Sequence, residues 1–420
     1  VSAIQLNDAV AQASVTLEPG QRVRASAVIE DPDGDALTYR WELKPESEAT
    51  QTGGDFEQGI SSLEGLIEDV GASEAVLVAP EPGIYRLFVY AYDGQGNAGH
   101  ANIPFRVRDE DVLPLAGEHM AVAYSGFREG QHPDRGAGAI NPSREEILED
   151  LEILAANDFR LIRLYDAREN SRAVLELIRE HELPIKVLQG IWLQAEVSNH
   201  EGCAWLDEPI PDEELAANEQ ENAEEVQKGI RLAREFDDII VAISVGNEAL
   251  VEWHDHMVPV DKVIAYVRQV RDATSQLVTV ADNYDWWARK GARRAAELDF
   301  IGVHTYPVWE GRTIDEGMSF TLDNIKAVRE AIPDKPIAIL EAGWATTASE
   351  FGERANEADQ DRYFRELGDW AAENETTVFF FEAFDEPWKG DPNNPMGAEK
   401  HWGLFKVDRT PKQGMIRNEN

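Results

Sequence analysis

Ile239-Ile-Val-Ala-Ile-Ser-Val-Gly-Asn-Glu248 is the stretch from which the rest of the chain is read. Its first seven residues are apolar or small and mostly β-branched, so neither face offers a polar side to water. Such a run predicts a strand covered on both faces, an inner strand of a parallel sheet. In a barrel of parallel strands the C-terminal strand ends open on one shared mouth, so Asn247 and Glu248 would project into a cleft. Pro336-Ile-Ala-Ile-Leu-Glu341 repeats the design: a short apolar strand closing on a carboxylate, followed by Ala342-Gly343-Trp344. One strand-end Glu is commonplace. Two that face one mouth are what a retaining glycosidase needs, one as proton donor to the leaving oxygen and one as nucleophile on the anomeric carbon, about 5 Å apart.

Working outward from these two strands, apolar runs alternate with helical spacing from residue 118 onward. The strand candidates are Met120–Tyr124, Leu161–Tyr165, Ile185–Trp192, Ile239–Val245, Leu277–Ala281, Phe300–His304, Ile337–Leu340 and Thr377–Phe384. Between them, Ser143–Asn157, Ser171–Glu182, Asp212–Phe236, Val260–Gln276, Ala288–Leu298, Ser319–Ala331 and Glu353–Asn374 carry amphipathic helical spacing. Ser143 with Glu146 three residues on predicts a capping box. Strands alternating with helices predict the α/β class and a (β/α)8 TIM barrel over residues 118–420. After Phe405 only Gln413–Asn420 is left to supply a short eighth helix.

Residues 1–110 read differently. Short alternating runs (Val23–Ile29, Leu37–Trp41, Tyr85–Tyr92) separated by turn clusters predict a small all-β sandwich. Asp31-Pro-Asp-Gly-Asp35 and Tyr92-Asp-Gly-Gln-Gly-Asn97 resemble immunoglobulin-like modules of cadherin or polycystic-kidney type, with Trp41 expected in the core between the sheets. Asp31, Asp33 and Asp35 could hold calcium through oxygen ligands, or their side chains could bond their own turn, the use favoured here. Asp109–Glu118, charged and containing Pro and Gly, reads as the linker.

Composition narrows the function classes. The 420 residues hold 80 Asp and Glu against 39 Lys and Arg, a formal charge of −41. That field disfavours nucleic acid, anionic polysaccharides and acidic membrane surfaces, and leaves a neutral glycan unaffected. No run of 18 apolar residues is present to insert in a membrane. The single cysteine, Cys203, allows no intrachain disulfide or zinc cage and is expected to be a packed small residue. The start at Val1 without Met leaves room for a removed targeting segment, though none is visible. The expected location is secreted or periplasmic, with attachment to the cell surface open.

If the barrel is right, chemistry collects at the strand ends. These read Tyr124-Ser-Gly-Phe-Arg128, Arg163-Leu-Tyr165-Asp166, Gln189 to Trp192, Asn247-Glu248, Ala281-Asp-Asn-Tyr-Asp-Trp-Trp287, His304-Thr-Tyr306-Pro307, Glu341, and Phe381-Glu-Ala-Phe-Asp-Glu-Pro-Trp-Lys389. Aromatic rings beside carboxylates and amides suit a sugar, whose apolar faces stack while its hydroxyls are hydrogen-bonded. The substrate-binding set drawn from them is Tyr124, Tyr165, Asn247, Tyr284, Trp287, His304, Tyr306, Trp344, Glu382, Glu386 and Lys389. Trp286 and Trp287 cannot both face inward on a regular strand, so at least one is expected to be exposed or to form a wall. His254-Asp-His256 and His304 invite a metal but lack the spacing of a zinc site, so neither metal nor cofactor is expected. A Gly-rich phosphate turn and a Gly-x-Ser-x-Gly nucleophile are both absent from the sequence.

Val245-Gly-Asn-Glu248, Glu341-Ala-Gly-Trp344, Phe381 to Lys389, Glu399, Trp402-Gly-Leu-Phe405, Tyr124 to Gln131 and Arg163-Leu-Tyr165, together and in order, resemble glycoside hydrolase family 17 over roughly residues 118 to 407. The resemblance implies a β-1,3-glucanase of the laminarinase type, with Glu248 as acid/base and Glu341 as nucleophile. It also implies that Asn247 binds the sugar 2-hydroxyl, that Tyr306 hydrogen-bonds the nucleophile, and that Glu382, Glu386 and Lys389 support the site. Gln194–Glu213 is longer than the family's pattern and predicts a groove walled at one end. Two alternatives stay open: a β-1,3-glucanosyltransferase on the same site, and a catalytically inactive glycan-binding protein.

Overall fold

Alternation of apolar and polar side chains sets the first part of the chain. The computed structural model describes residues 3–7, 9–10, 15–29, 31, 33–46, 59–107, 120–134, 138–204 and 206–416. Asp109–Glu118, read as the linker, and Trp205 lie outside them. The chain divides into two compact units, residues 1–113 with 268–275, and residues 114–267 with 276–420.

In the first unit, β1 (Ala3–Leu6), β3 (Arg22–Val28), β5 (Ile67–Glu68) and β6 (Glu74–Val78) form one sheet in the order β1-β3-β6-β5. The other holds β2 (Val15–Leu17), β4 (Thr38–Pro45), β7 (Gly83–Tyr92) and β8 (Ala98–Val107), ordered β2-β8-β7-β4. Every second residue along β7 is buried, as a strand with one wet face requires. Leu6, Val23 and Leu77 of one sheet share a core with Leu43, Leu87 and Phe105 of the other. Trp41 lies in that core at 4% exposure, its ring N–H donating to the Ala72 carbonyl at 2.9 Å. The Asp31 carboxylate accepts the backbone N–H groups of Asp33 and Asp35, both at 3.0 Å, the local use expected of a turn.

In the second unit, eight strands close a parallel barrel: β9 (Ala121–Ala123), β10 (Leu161–Arg163), β11 (Lys186–Ile191), β12 (Ile240–Asn247), β13 (Leu277–Asn283), β14 (Ile301–Thr305), β15 (Ile337–Ala342) and β16 (Val378–Phe380). Each overlaps a strand expected from sequence. Ala121, Leu188, Ala242, Phe300, Leu340 and Phe379, all buried, belong to one core cluster. The connecting helices are α1 (Arg144–Ala156), α2 (Glu169–Glu180), α3 (Asp212–Glu235) and α4 (Val260–Ala273), then α6 (Ile314–Ala331) and α7 (Glu357–Glu373). The capping box at α1 is formed, with Ser143 N–H on Glu146 at 2.8 Å and Glu146 N–H on Ser143 at 3.2 Å. The expected helix Ala288–Leu298 is replaced by broken pieces: α5 (Tyr284–Trp286), a π turn at Trp287–Gly291 and a 3-10 turn at Ala295–Glu297. After β16 only short 3-10 turns occur among the described residues, the last at Gln413–Met415.

The middle of α1's buried face is tied to the segment around Arg409 through a buried carboxylate. Asp150, fully buried, accepts Arg409 on both oxygens at 2.7 Å, Arg128 at 2.9 Å and the Tyr124 hydroxyl at 3.2 Å. Burial pushes its carboxyl up, and Arg409 offsets this. Asp150→Ala would strand a buried guanidinium, a loss of about 3 to 5 kcal/mol when one partner of a buried pair is removed. Thermal or denaturant unfolding should show it, and a loss well under about 1 kcal/mol would contradict this account of the closure.

Candidate active site

The ends of β10, β12, β14 and β15 bring their side chains to one place. An oxygen of Glu248, an oxygen of Glu341 and a ring nitrogen of His304 all lie within 4.8 Å of one another. Glu248 follows β12 directly, with a left-handed φ of 48°, two residues after Gly246 at φ 82°. The strand therefore breaks just where its side chain must leave the sheet plane. Its own N–H still bonds the Ala281 carbonyl at 2.8 Å, which anchors the turned-out residue.

Glu341 sits on β15 at 4% exposure and is gripped by donors. Arg163 Nη1 reaches its Oε1 at 2.8 Å, the Tyr165 hydroxyl the same oxygen at 3.0 Å, and the Tyr306 hydroxyl its Oε2 at 2.6 Å. Burial first, and then the Glu341 charge, raise both phenols well above the ordinary range, so at neutral pH both keep the hydrogen they donate to Glu341. Arg163 also donates through Nη2 to Asn247 Oδ1 at 2.6 Å, fixing that amide beside the carboxylates. The planar guanidinium reaches the two acceptors from separate nitrogens held at a fixed spacing.

His304, with no exposed surface, stands between the two carboxylates: its Nδ1 is 3.0 Å from Glu248 Oε1 and 3.4 Å from Glu341 Oε2. Its Nε2 is 3.2 Å from Arg163 Nη1. Arginine has no acceptor, so that nitrogen accepts and Nδ1 carries the hydrogen. A metal would have to displace that hydrogen, and the donor set is already spent on hydrogen bonds. The other oxygen of Glu248 is ion-paired with His254 Nε2. Burial alone would raise the Glu248 carboxyl, but the two imidazoles outweigh it and hold it well below the ordinary range. Burial likewise disfavours a charged His254, and Glu248 overrides it, pushing the ring up to about 9. Asp282, fully buried at the end of β13, accepts Leu250 N–H at 2.9 Å; burial and then Glu248 push it up to about 8.

Beyond β16, Lys389 Nζ lies 2.6 Å from both Glu382 and Glu386. Burial pushes the Glu382 carboxyl well above the ordinary range, with Lys389 offsetting part of the rise. Glu386 is buried too, but Lys389 and Ser125 outweigh that and hold it below the range. Glu399, raised mainly by burial, faces the charges of Lys389, Glu248 and Glu341. The loop after β11 is packed on the loop that follows Glu248: Asn199 Nδ2 donates to the carbonyls of Glu252 and His254, each at 2.7 Å. Cys203 in that loop is buried at 3% exposure.

Of the expected site residues, Glu248, Glu341, Asn247, Tyr165, His304 and Tyr306 share this cluster, and Glu382, Glu386 and Lys389 form the charged group beyond β16. Three expectations are corrected. Tyr124 is 1% exposed with its hydroxyl spent on Asp150. Trp287 is 1% exposed and donates to the Gly302 carbonyl at 2.9 Å. Trp344 has no exposed surface and donates to the Arg354 carbonyl at 2.7 Å. These are core groups, unable to stack on a ligand. Trp286 is buried as well, because the pair sits in a helical turn and meets edge to face at 5.0 Å. Tyr284 packs edge-on against Phe320 at 6.0 Å, half-buried. The exposed rings are others: Trp253, five residues past Glu248, at 46%, and Trp309, three past Tyr306, at 45%. Trp309 rests edge-on against Phe351 at 4.5 Å. Arg163 and His254 join the site beyond the residues expected from sequence; an arginine inside an otherwise apolar strand is the signal for the first.

Residues 121–403 match the BtgE/BtgC glycoside hydrolase domain. A glucan 1,3-β-glucosidase of Arthroderma benhamiae is 26% identical over 60% of this chain and 78% of its own length. A probable glucan endo-1,3-β-glucosidase of Aspergillus clavatus is 25% identical over 65% of this chain, which spans only 39% of that protein. Among solved structures, an endo-laminarinase from Formosa matches with a TM-score of 0.63 and 26% identity, covering 72% of this chain and 88% of its own.

Proposed function

The chain belongs to the BtgE/BtgC glycoside hydrolase family, and as a glycosidase, we propose, it cleaves β-1,3-glucan such as laminarin with retention at the anomeric carbon. One observation carries this: two carboxylates from strands far apart in sequence meet within 4.8 Å, each with its own set of hydrogen-bond donors. Retaining enzymes hold their carboxyl groups about 5 to 5.5 Å apart, and inverting ones leave room for a water at about 6.5 to 9.5 Å. Glu341, gripped by Arg163, Tyr165 and Tyr306, is the nucleophile that attacks C1. Glu248 is the acid that protonates the leaving oxygen and the base that then activates water. Members named as glucan glucosidases, and an endo-laminarinase of similar fold, support the choice of glucan.

In the same reading Asn247 takes the sugar 2-hydroxyl, and Lys389 with Glu382 and Glu386 keeps the floor charged and ordered. Tyr284, Trp253 and Trp309 offer rings for further sugars along the rim. Residues 1–110 act as an immunoglobulin-like module, supported by two sheets on one core, and residues 118–420 as the catalytic unit, supported by a family match that starts at residue 121. No helix among the described residues is long and apolar enough to cross a membrane. The polymeric substrate fits a secreted or periplasmic enzyme, and the charge of −41 fits a neutral glycan over nucleic acid.

A time course on laminarin and on unbranched β-1,3-glucan, read by product size, tests this. The expected result is progressive shortening to small oligosaccharides. With a short laminari-oligosaccharide added, chains longer than it at early times would favour glucanosyl transfer, and binding without any cleavage would overturn the hydrolase assignment.

A further inference from the structure

Glu248 is met by two imidazoles with different freedom. His304 is committed: its Nε2 accepts from Arg163, so it has only the Nδ1 hydrogen to offer Glu248. His254 is bound differently. Its Nε2 is ion-paired with Glu248 Oε2, its side chain is 29% exposed, and its ring lies 5.1 Å from that of His256. His256 is itself fixed, by Asn247 O at 2.8 Å on one nitrogen and Asp255 Oδ1 at 3.0 Å on the other. Asn199 holds the His254 backbone from the β11 loop with a neutral side chain. The charged groups that face the ring are acidic: Glu248 at the end of β12, Asp255 beside it, Asp282 at the end of β13 and Glu399 from the segment after β16.

We propose that His254 is a positioning residue for the acid step, keeping on its Nε2 the proton that Glu248 delivers to the leaving oxygen. The inference rests on Glu248 being the acid/base. An ion pair of carboxylate and imidazolium holds the same single proton as a neutral carboxylic acid beside a neutral imidazole. When a glucan chain displaces water from the mouth, the charged form loses hydration and the neutral form gains ground. The Nε2–H bond then breaks as the Glu248 O–H bond forms. Glu248 passes that proton to the glycosidic oxygen as the C1–O bond breaks, its electron pair staying on oxygen, while a Glu341 oxygen bonds C1. In the second half the water oxygen bonds C1 as the Glu341–C1 bond breaks and its electron pair returns to the carboxylate, while Glu248 takes a proton from that water and returns it to His254.

The pair keeps its proton until pH rises through about 9, where the imidazolium, raised above its ordinary value, lets it go. Alkaline activity should therefore depend on His254. In pH profiles of kcat/KM on a laminari-oligosaccharide, His254→Gln and His254→Asn should move the alkaline limb down by about 1.5 pH units. Activity would then fall about 10-fold or more relative to the parent near pH 8.5 and change little near pH 5. A limb that stays put, or a loss equal at every pH, overturns the proposal. Should neither variant fold, imidazole NMR on the parent and on Glu248→Gln decides. One ring should stay protonated to about pH 9 in the parent and titrate about 2 units lower in the variant. A parent protein without such a ring overturns it. Full glucanase activity in Glu248→Gln would instead sink the acid/base assignment, whatever the ring does.

Discussion

Glu341→Ala should leave a folded protein whose kcat on β-1,3-glucan is lower by about 10⁵-fold, close to 7 kcal/mol of transition-state stabilisation. The size follows from what the carboxylate does. Without it no covalent glycosyl-enzyme can form, and the oxocarbenium-like transition state loses its nearest negative charge. Arg163, Tyr165 and Tyr306 would still converge on the gap, so a small anion has a ready-made pocket. Added azide should therefore restore cleavage and give a product of inverted configuration. Near-native activity, or rescue that yields the retained product, would contradict the assignment of Glu341.

Glu248→Gln should lower kcat/KM on glucan by about 10³-fold, within the range expected for one general acid–base group. The loss should depend on the leaving group. An aryl glycoside with a weakly basic phenol leaves without protonation, so the first half-reaction should be spared and the glycosyl-enzyme should accumulate as a burst. Equal losses on glucan and on the activated glycoside would mean that Glu248 acts otherwise than as proton donor. Its present partners sharpen the expectation. His304 and His254 hold the carboxyl low in the free enzyme, so a proton has to reach it before the acid step, and binding of the glucan is the natural moment.

Much of this was legible in the chain. A barrel strand is shielded on both faces, so apolar runs such as 239–245 and 337–340 announce themselves, and a carboxylate at the end of such a run stands out. Each of the eight barrel strands was visible for that reason. Long helices with an apolar stripe were equally plain, and the capping box at Ser143 marked one start to the residue. The failures have physical causes too. Tyr124, Trp287 and Trp344 are large rings beside strand ends, and sequence cannot tell a ring that lines the mouth from one packed behind it. The answer was set by partners distant in sequence or in the backbone: Asp150, the Gly302 carbonyl and the Arg354 carbonyl. The stretch 284–297 kept helical spacing yet broke into short turns, where Trp286 and Trp287 pack on each other. The role of Arg163 is not legible in the sequence because a buried charge makes sense only beside its acceptors, Glu341 and Asn247. His254 was weighed as a metal ligand, and its carboxylate partner lies only six residues upstream.

The central claim is a bond between Glu341 and the anomeric carbon, and trapping tests it most directly. A 2-deoxy-2-fluoro laminari-oligosaccharyl donor with a good leaving group should add one glycosyl mass to the protein, and peptide mapping should find that mass on Glu341. A mass on another carboxylate, or hydrolysis of natural substrate with inversion and no adduct at all, would contradict it.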